Sequence, residues 1–137
     1  MTRSLLALVV GIGAIGLGLG DDPGKPKVST VSERDIAEKV DGKQAKATAV
    51  EVTLEPGQAS ASHRHPGPVL GYVLEGEYEW AIDDDESKVL KAGETFYEPA
   101  GCLHRVSKNP GKVKTRLVAV VLHPRDAKQV AVPEAKK

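Results

Sequence analysis

A single cysteine, Cys102, excludes an internal disulfide framework. It reads as a small buried apolar residue. Its place two residues before His104 leaves a role near a site as the alternative. Charge of one sign is missing too. Nineteen basic residues balance nineteen acidic ones, with no basic stripe, which argues against nucleic acid as a partner. Internal repeats and low-complexity tracts are absent. Helical periodicity is confined to one short stretch. Ser32-Glu33-Arg34-Asp35 ahead of Ile36 to Val40 has the look of a capped short helix stopped by Asp41-Gly42. Apolar runs are equally scarce, and the one that exists lies at the start.

That run, Leu5 to Leu19, is apolar or glycine throughout, with Arg3 before it. Gly18-Leu19-Gly20 places small residues at the −3 and −1 positions before Asp21. The pattern is that of a secretory signal peptide over residues 1–20. The run is shorter than the roughly 18–20 residues of a spanning helix, and its glycines weaken it as one. The expectation is therefore an exported protein, periplasmic or secreted, with no membrane span after cleavage. An uncleaved anchor is the alternative. Residues 21–44 read as a linker and N-terminal extension, 45–124 as one barrel domain and 125–137 as a polar tail that wraps the outside or frays.

Within 45–124 the pattern has period two. Thr48, Val50, Val52 and Leu54 form an apolar face, as do Tyr78, Trp80 and Ile82. Strands are expected at Val69–Leu74, Val89–Leu90, Thr95–Glu98, from His104 onward, and over Arg116–His123. Turns fall at Pro56-Gly57, Gly76, Asp83–Asp85, Gly93, Pro99–Gly101 and Asn109–Gly111. Short strands at this spacing predict an all-β sandwich or barrel. Tyr72, Tyr78, Trp80, Phe96 and Tyr97 are the whole aromatic set. Most are expected in the core, with one or two left to line a pocket.

The chain holds four histidines. His63 and His65, at i and i+2, point to one face of a strand. His104, from a neighbouring strand, can close a three-nitrogen metal site. His123 reads as structural. Arg64 and Arg105 are expected to point outward.

Two glycine-framed motifs surround these residues. The first runs Gly57-x5-His63-x-His65-x3-Val69-x6-Gly76, the second Gly93-x5-Pro99-x-Gly101-x2-His104-x3-Lys108. Together they resemble the cupins, in the small single-domain, type-2 conserved barrel form. The resemblance covers about Thr48 to Val121. It implies a double-stranded β-helix, a jelly-roll barrel. Val69 stands where the family's metal-binding glutamate usually stands, and Lys108 where its asparagine does, although Asn109 is adjacent. Three-histidine cupins exist, thiol dioxygenases among them, so losing the glutamate does not abolish metal binding. Glu98 offers compensation. By strand alternation it shares a face with Phe96, and if that face points inward it enters the barrel near His104 as ligand or base. The alternative is a glutamate exposed at the rim.

The functional expectation is one divalent transition metal (Fe, Mn, Ni, Cu or Zn) on His63, His65 and His104. It would act on a small oxygenated or anionic molecule by oxygenase-like or Lewis-acid chemistry. The alternative is a non-catalytic module that binds a small ligand. A homodimer paired through its sheets is the default assembly.

Overall fold

The computed structural model describes residues 22–135. The signal peptide expected over residues 1–20 lies outside them. Among the described residues, ten strands make two five-stranded antiparallel sheets. They are β1 (Lys27–Val40), β2 (Lys43–Leu54), β3 (His63–Arg64), β4 (Val69–Glu75), β5 (Glu77–Ile82), β6 (Lys88–Lys91), β7 (Thr95–Glu98), β8 (Leu103–Lys108), β9 (Thr115–Pro124) and β10 (Val132–Pro133). The first sheet has the order β1-β2-β9-β4-β7 and the second β10-β3-β8-β5-β6. This is the all-β jelly roll that the motifs imply.

The period-two faces are the core. Val50, Leu54, Val69, Val73, Phe96, Leu117, Ala119 and Val121 come from the first sheet, and Tyr78, Trp80 and Ile82 from the second. Phe96 lies across Gly71, where any Cβ would meet its ring at 2.0 Å. Tyr72 and Tyr97 are the two aromatics that stay outside, on the exposed face of β4 and β7.

One segment differs from the sequence expectations. Ser32–Val40 is not a helix but the second half of β1, paired to β2 with Val40 opposite Lys43. Asp41 and Gly42 both have positive φ, 50° and 73°, the two-residue turn that suits a hairpin. A helix of about nine residues is marginal alone, and the long β2 template outcompetes it. The C-terminal tail, expected to wrap the outside or fray, wraps back over the described residues. It returns to the second sheet as β10, with Val132 opposite Arg64 and Pro133 opposite His63.

Candidate metal centre

His63 sits on β3 directly opposite His104 on β8. His65 follows two residues later on the same side. The ring centroids lie 4.8 Å apart for His63–His65, 4.8 Å for His63–His104 and 6.3 Å for His65–His104. The two motifs are also tied through the backbone. The Gly101 amide donates to the His65 carbonyl at 3.0 Å, and Arg64 Nη1 donates to the Gly101 carbonyl at 2.8 Å. Gly101 has φ 74°, a conformation that favours glycine in the loop that delivers His104.

Each imidazole has one nitrogen tied down. His63 Nδ1–H donates to the Ala61 carbonyl at 2.8 Å, and His65 Nδ1–H donates to the Val130 carbonyl. A carbonyl only accepts, so both rings carry the proton on Nδ1 and leave Nε2 bare. His104 Nε2 lies 3.2 Å from the Tyr78 hydroxyl, whose own proton goes to Ser107 Oγ at 2.9 Å. The tyrosine oxygen therefore accepts from His104 Nε2–H and leaves Nδ1 bare. Potential ligand atoms of the three histidines lie within 4.8 Å of one another.

Ser107 reaches the site through an irregularity. Ala81 pairs with Val106 and Ile82 with His104, which makes Arg105 the extra residue of a bulge. Strict alternation would put Ser107 on the face opposite His104. The bulge turns both inward.

Glu98 completes the cluster. It is 1% exposed, so its side chain points inward rather than at the rim. Oε1 accepts from Trp80 Nε1–H at 3.1 Å and lies 3.2 Å from His104 Nδ1. Oε2 lies 3.5 Å from His65 Nε2. Its register explains its use: on β4 and β7, Val69 pairs with Glu98. The carboxylate missing at Val69 arrives from the residue directly opposite.

These distances have the look of ion pairs, but burial neutralises the members. It pushes the Glu98 carboxyl up to about 7, against a weaker lowering by the Trp80 hydrogen bond. It pushes His104 down to about 3, aided by the neighbouring His63 and His65, and it lowers His65. Burial also raises the Tyr78 hydroxyl above its usual value, which keeps it a donor. Glu98 Oε2 and His104 Nδ1 are buried without a hydrogen-bond partner. Such orphaned atoms are costly unless something joins them. A metal ion bridging a carboxylate and three bare nitrogens would satisfy both, so the residues present fit one.

The cluster opens into a cavity of about 250 Å³. Val50, Val52, Val69, Phe96, Leu117 and Val121 form much of its wall. Among the described residues its other polar groups are Tyr78, Ser60 and Ser107, and no lysine or arginine lines it. His123 is elsewhere. It is buried, with Nε2 2.8 Å from Thr48 Oγ1 and Nδ1 2.8 Å from the Pro124 carbonyl, as a structural histidine should be. Cys102 is half-buried and outside the cavity lining, and burial pushes its thiol up to about 11. Asn109, next to the position where the motif's asparagine is expected, is fully buried and ties Leu54 to Val113 through Nδ2.

A profile of the cupin domain matches residues 50–121. Germin-like protein 3-5 of Oryza sativa subsp. japonica is 34% identical over 107 residues, covering 72% of this chain and 47% of that one. The chain thus spans about half the length of the curated relatives it matches. Among solved structures, a Klebsiella pneumoniae protein with a double-stranded β-helix domain is 27% identical with a TM-score of 0.63, covering 82% of this chain and 88% of that one. An oxalate oxidase in complex with the substrate analogue glycolate is 27% identical with a TM-score of 0.55, covering 77% of this chain and 54% of that one. Two sheets in jelly-roll order, both glycine-framed motifs and the matched profile agree: the chain belongs to the cupin family.

Proposed function

We propose that this protein is an exported cupin that holds one divalent transition metal on His63, His65, His104 and Glu98, and acts there on a small carboxylate or related oxygenated molecule. One observation carries the reading. The unpartnered Glu98 Oε2 and His104 Nδ1 are buried together in a cluster whose other rings turn bare nitrogens to the same point. A nitrogen and oxygen donor set without thiolate suits Fe, Mn, Ni, Cu or Zn. Such a metal supplies Lewis-acid activation of a bound oxygen ligand or, where it is redox-active, electron exchange.

The protein's own residues do the rest. The backbone and Tyr78 partners hold the imidazoles in the required tautomers. Since no lysine or arginine among the described residues lines the cavity, the metal would be the cation that receives an anionic group there. The valine and leucine wall keeps water away from that contact and accepts an apolar substituent. The glycolate-bound oxalate oxidase supports a small carboxylate as the substrate class.

A specific observation favours a second reading, a non-catalytic binding module. Beyond the four ligand side chains, the lining offers only Tyr78, Ser60 and Ser107 as polar groups. Burial keeps the tyrosine protonated.

Elemental analysis tests the metal reading on protein purified without chelator or a histidine-rich tag. About one transition metal per chain is expected. No metal, and no uptake of any of the five, overturns it. Oxygen consumption or product release on adding oxalate or glycolate separates enzyme from binder. A shifted metal spectrum without turnover selects the binder. Export is checked by the mass of the mature protein, expected to begin at Asp21. For the homodimer, the candidate face is Leu70, Tyr72 and Tyr97, all exposed on β4 and β7. Sedimentation should show a dimer that Tyr97→Lys dissociates.

A further inference from the structure

The segment after β9 carries no metal-ligating side chain into the site, yet it touches the site repeatedly. The Val130 carbonyl accepts from His65 Nδ1–H. β10 pairs with β3, the strand that begins at His63. Val130, Ala131 and Pro133 line the cavity. Two further contacts fasten the segment: the Glu134 amide donates to the Ser62 carbonyl at 2.9 Å, and the Glu134 carboxylate receives Arg64 Nε at 3.0 Å. The same guanidinium reaches the Gly101 carbonyl, so Arg64 joins the tail to both motifs.

We propose that Val130–Glu134 is a strap that positions His65 and forms one wall of the entrance to the cavity. This rests on the reading of His63, His65 and His104 as metal ligands. Which nitrogen an imidazole offers is set by the partner of the other nitrogen. His63 finds its partner two residues away, at Ala61, inside its own loop. His65 finds its partner 65 residues away, on a strand of two residues. That second attachment is separable from the barrel. Few buried contacts hold it, and short, exposed elements open at lower free energy than core strands. The Arg64–Glu134 pair is half-exposed and by itself a weak fastening. Val130 also packs against the hydrophobic core, which fixes where its carbonyl stands.

The test compares the full chain with a chain ending at Gln129 and with Val130→Ala. One readout is the histidine nitrogen spectrum of the metal-free protein. The other is Mn(II) affinity by competition with a chelator. In the full chain His65 should show the Nδ1–H tautomer with slow exchange. The shortened chain should lose that signal and bind Mn(II) about 10–100-fold more weakly, the usual cost of removing an outer partner of a metal ligand. Val130→Ala keeps the carbonyl but loosens the packing that fixes it, so it should weaken the signal and the affinity less than the shortening does, while admitting bulkier carboxylates. A shortened chain that keeps the His65 signal and full affinity overturns the strap. Should that chain not fold, two glycines inserted between Gln129 and Val130 of the full-length protein move the carbonyl away from His65, and an unchanged His65 signal there overturns the strap too. A full chain that binds no Mn(II), yet loses the His65 signal on shortening, refutes the metal reading and leaves the positioning intact.

Discussion

The two walls of the cavity are made of different chemistry. The second sheet and the segments leading into it supply His63, His65 and His104, together with Tyr78, Ser107 and Ser60. The first sheet supplies Val28, Val50, Val52, Val69, Phe96, Leu117, Ala119 and Val121, and a single polar group, Glu98. One wall is wet and the other dry. On the wet wall every imidazole has a partner that selects its bare nitrogen. On the dry wall the lone carboxylate accepts from Trp80 on one oxygen and has no hydrogen bond on the other. Under the proposed function, the wet wall would hold the metal and the dry wall would select what approaches it. In the proposed site, Glu98 is the one point where the dry wall would take part in coordination.

Removing a wet-wall ligand should have the largest effect. His104→Ala should lower metal affinity by more than about a hundredfold, beyond the cost typical of partners one layer further out. Chelator competition measures it. Unchanged affinity would erase the distinction between the walls.

A dry-wall truncation should leave affinity alone and strike stability instead. Leu117 is 2% exposed in the core. Leu117→Ala should destabilise the fold by about 2–5 kcal/mol by leaving a void. Metal affinity per folded molecule should stay at the wild-type value. Denaturant melts with and without metal separate the two effects.

Glu98→Gln tests the crossing point, through pH. The Glu98 carboxyl titrates at about 7 in the fold against an ordinary 4.5. Between those values the folded state holds a proton that the unfolded chain has released. The metal-free protein should therefore lose stability as pH rises through that window, and Glu98→Gln should remove that slope. Metal uptake has the opposite sense. Each ion displaces the Glu98 proton below pH 7, so that affinity climbs about tenfold per pH unit there and levels off above. His104, already neutral down to about pH 3, adds nothing to that climb. In Glu98→Gln the climb should be shallower by one proton. Titrations from pH 5.5 to 8.5 would show it, and parallel curves would place Glu98 outside the coordination.

The smallest expected change comes from moving the carboxylate one strand over. Val69 is paired with Glu98, and directly opposed residues have Cβ atoms about 4.5–5.5 Å apart. Adding Val69→Glu to Glu98→Gln should restore affinity close to the wild-type value. A double variant as weak as the single would show that only β7 can deliver the ligand.

The barrel and three of the proposed ligands were legible in the sequence, because spacing between glycines and histidines is a one-dimensional signal. His63, His65 and His104 needed nothing else. Glu98 was half legible. Strand alternation put it on the face of Phe96, but whether that face points inward depends on the pairing of β7 with β4, which no local pattern encodes. Ser107 was hidden by the bulge at Arg105. Tyr78 was visible as a core or pocket residue, but not as the partner of His104. Val130 was out of reach, since it acts through a carbonyl that every residue possesses. The helix expected at Ser32–Val40 failed for a related reason: local capping signals were read without the long partner strand β2 that overrides them.

The most direct test is the structure of the zinc-loaded protein at pH 8. One Glu98 oxygen and one nitrogen each from His63, His65 and His104 should lie within about 2.0–2.2 Å of the ion, with Val69 beside it and unliganded. A metal held by the three histidines and water, with Glu98 still turned to Trp80, would contradict the four-ligand site. So would a crystal that takes up no zinc.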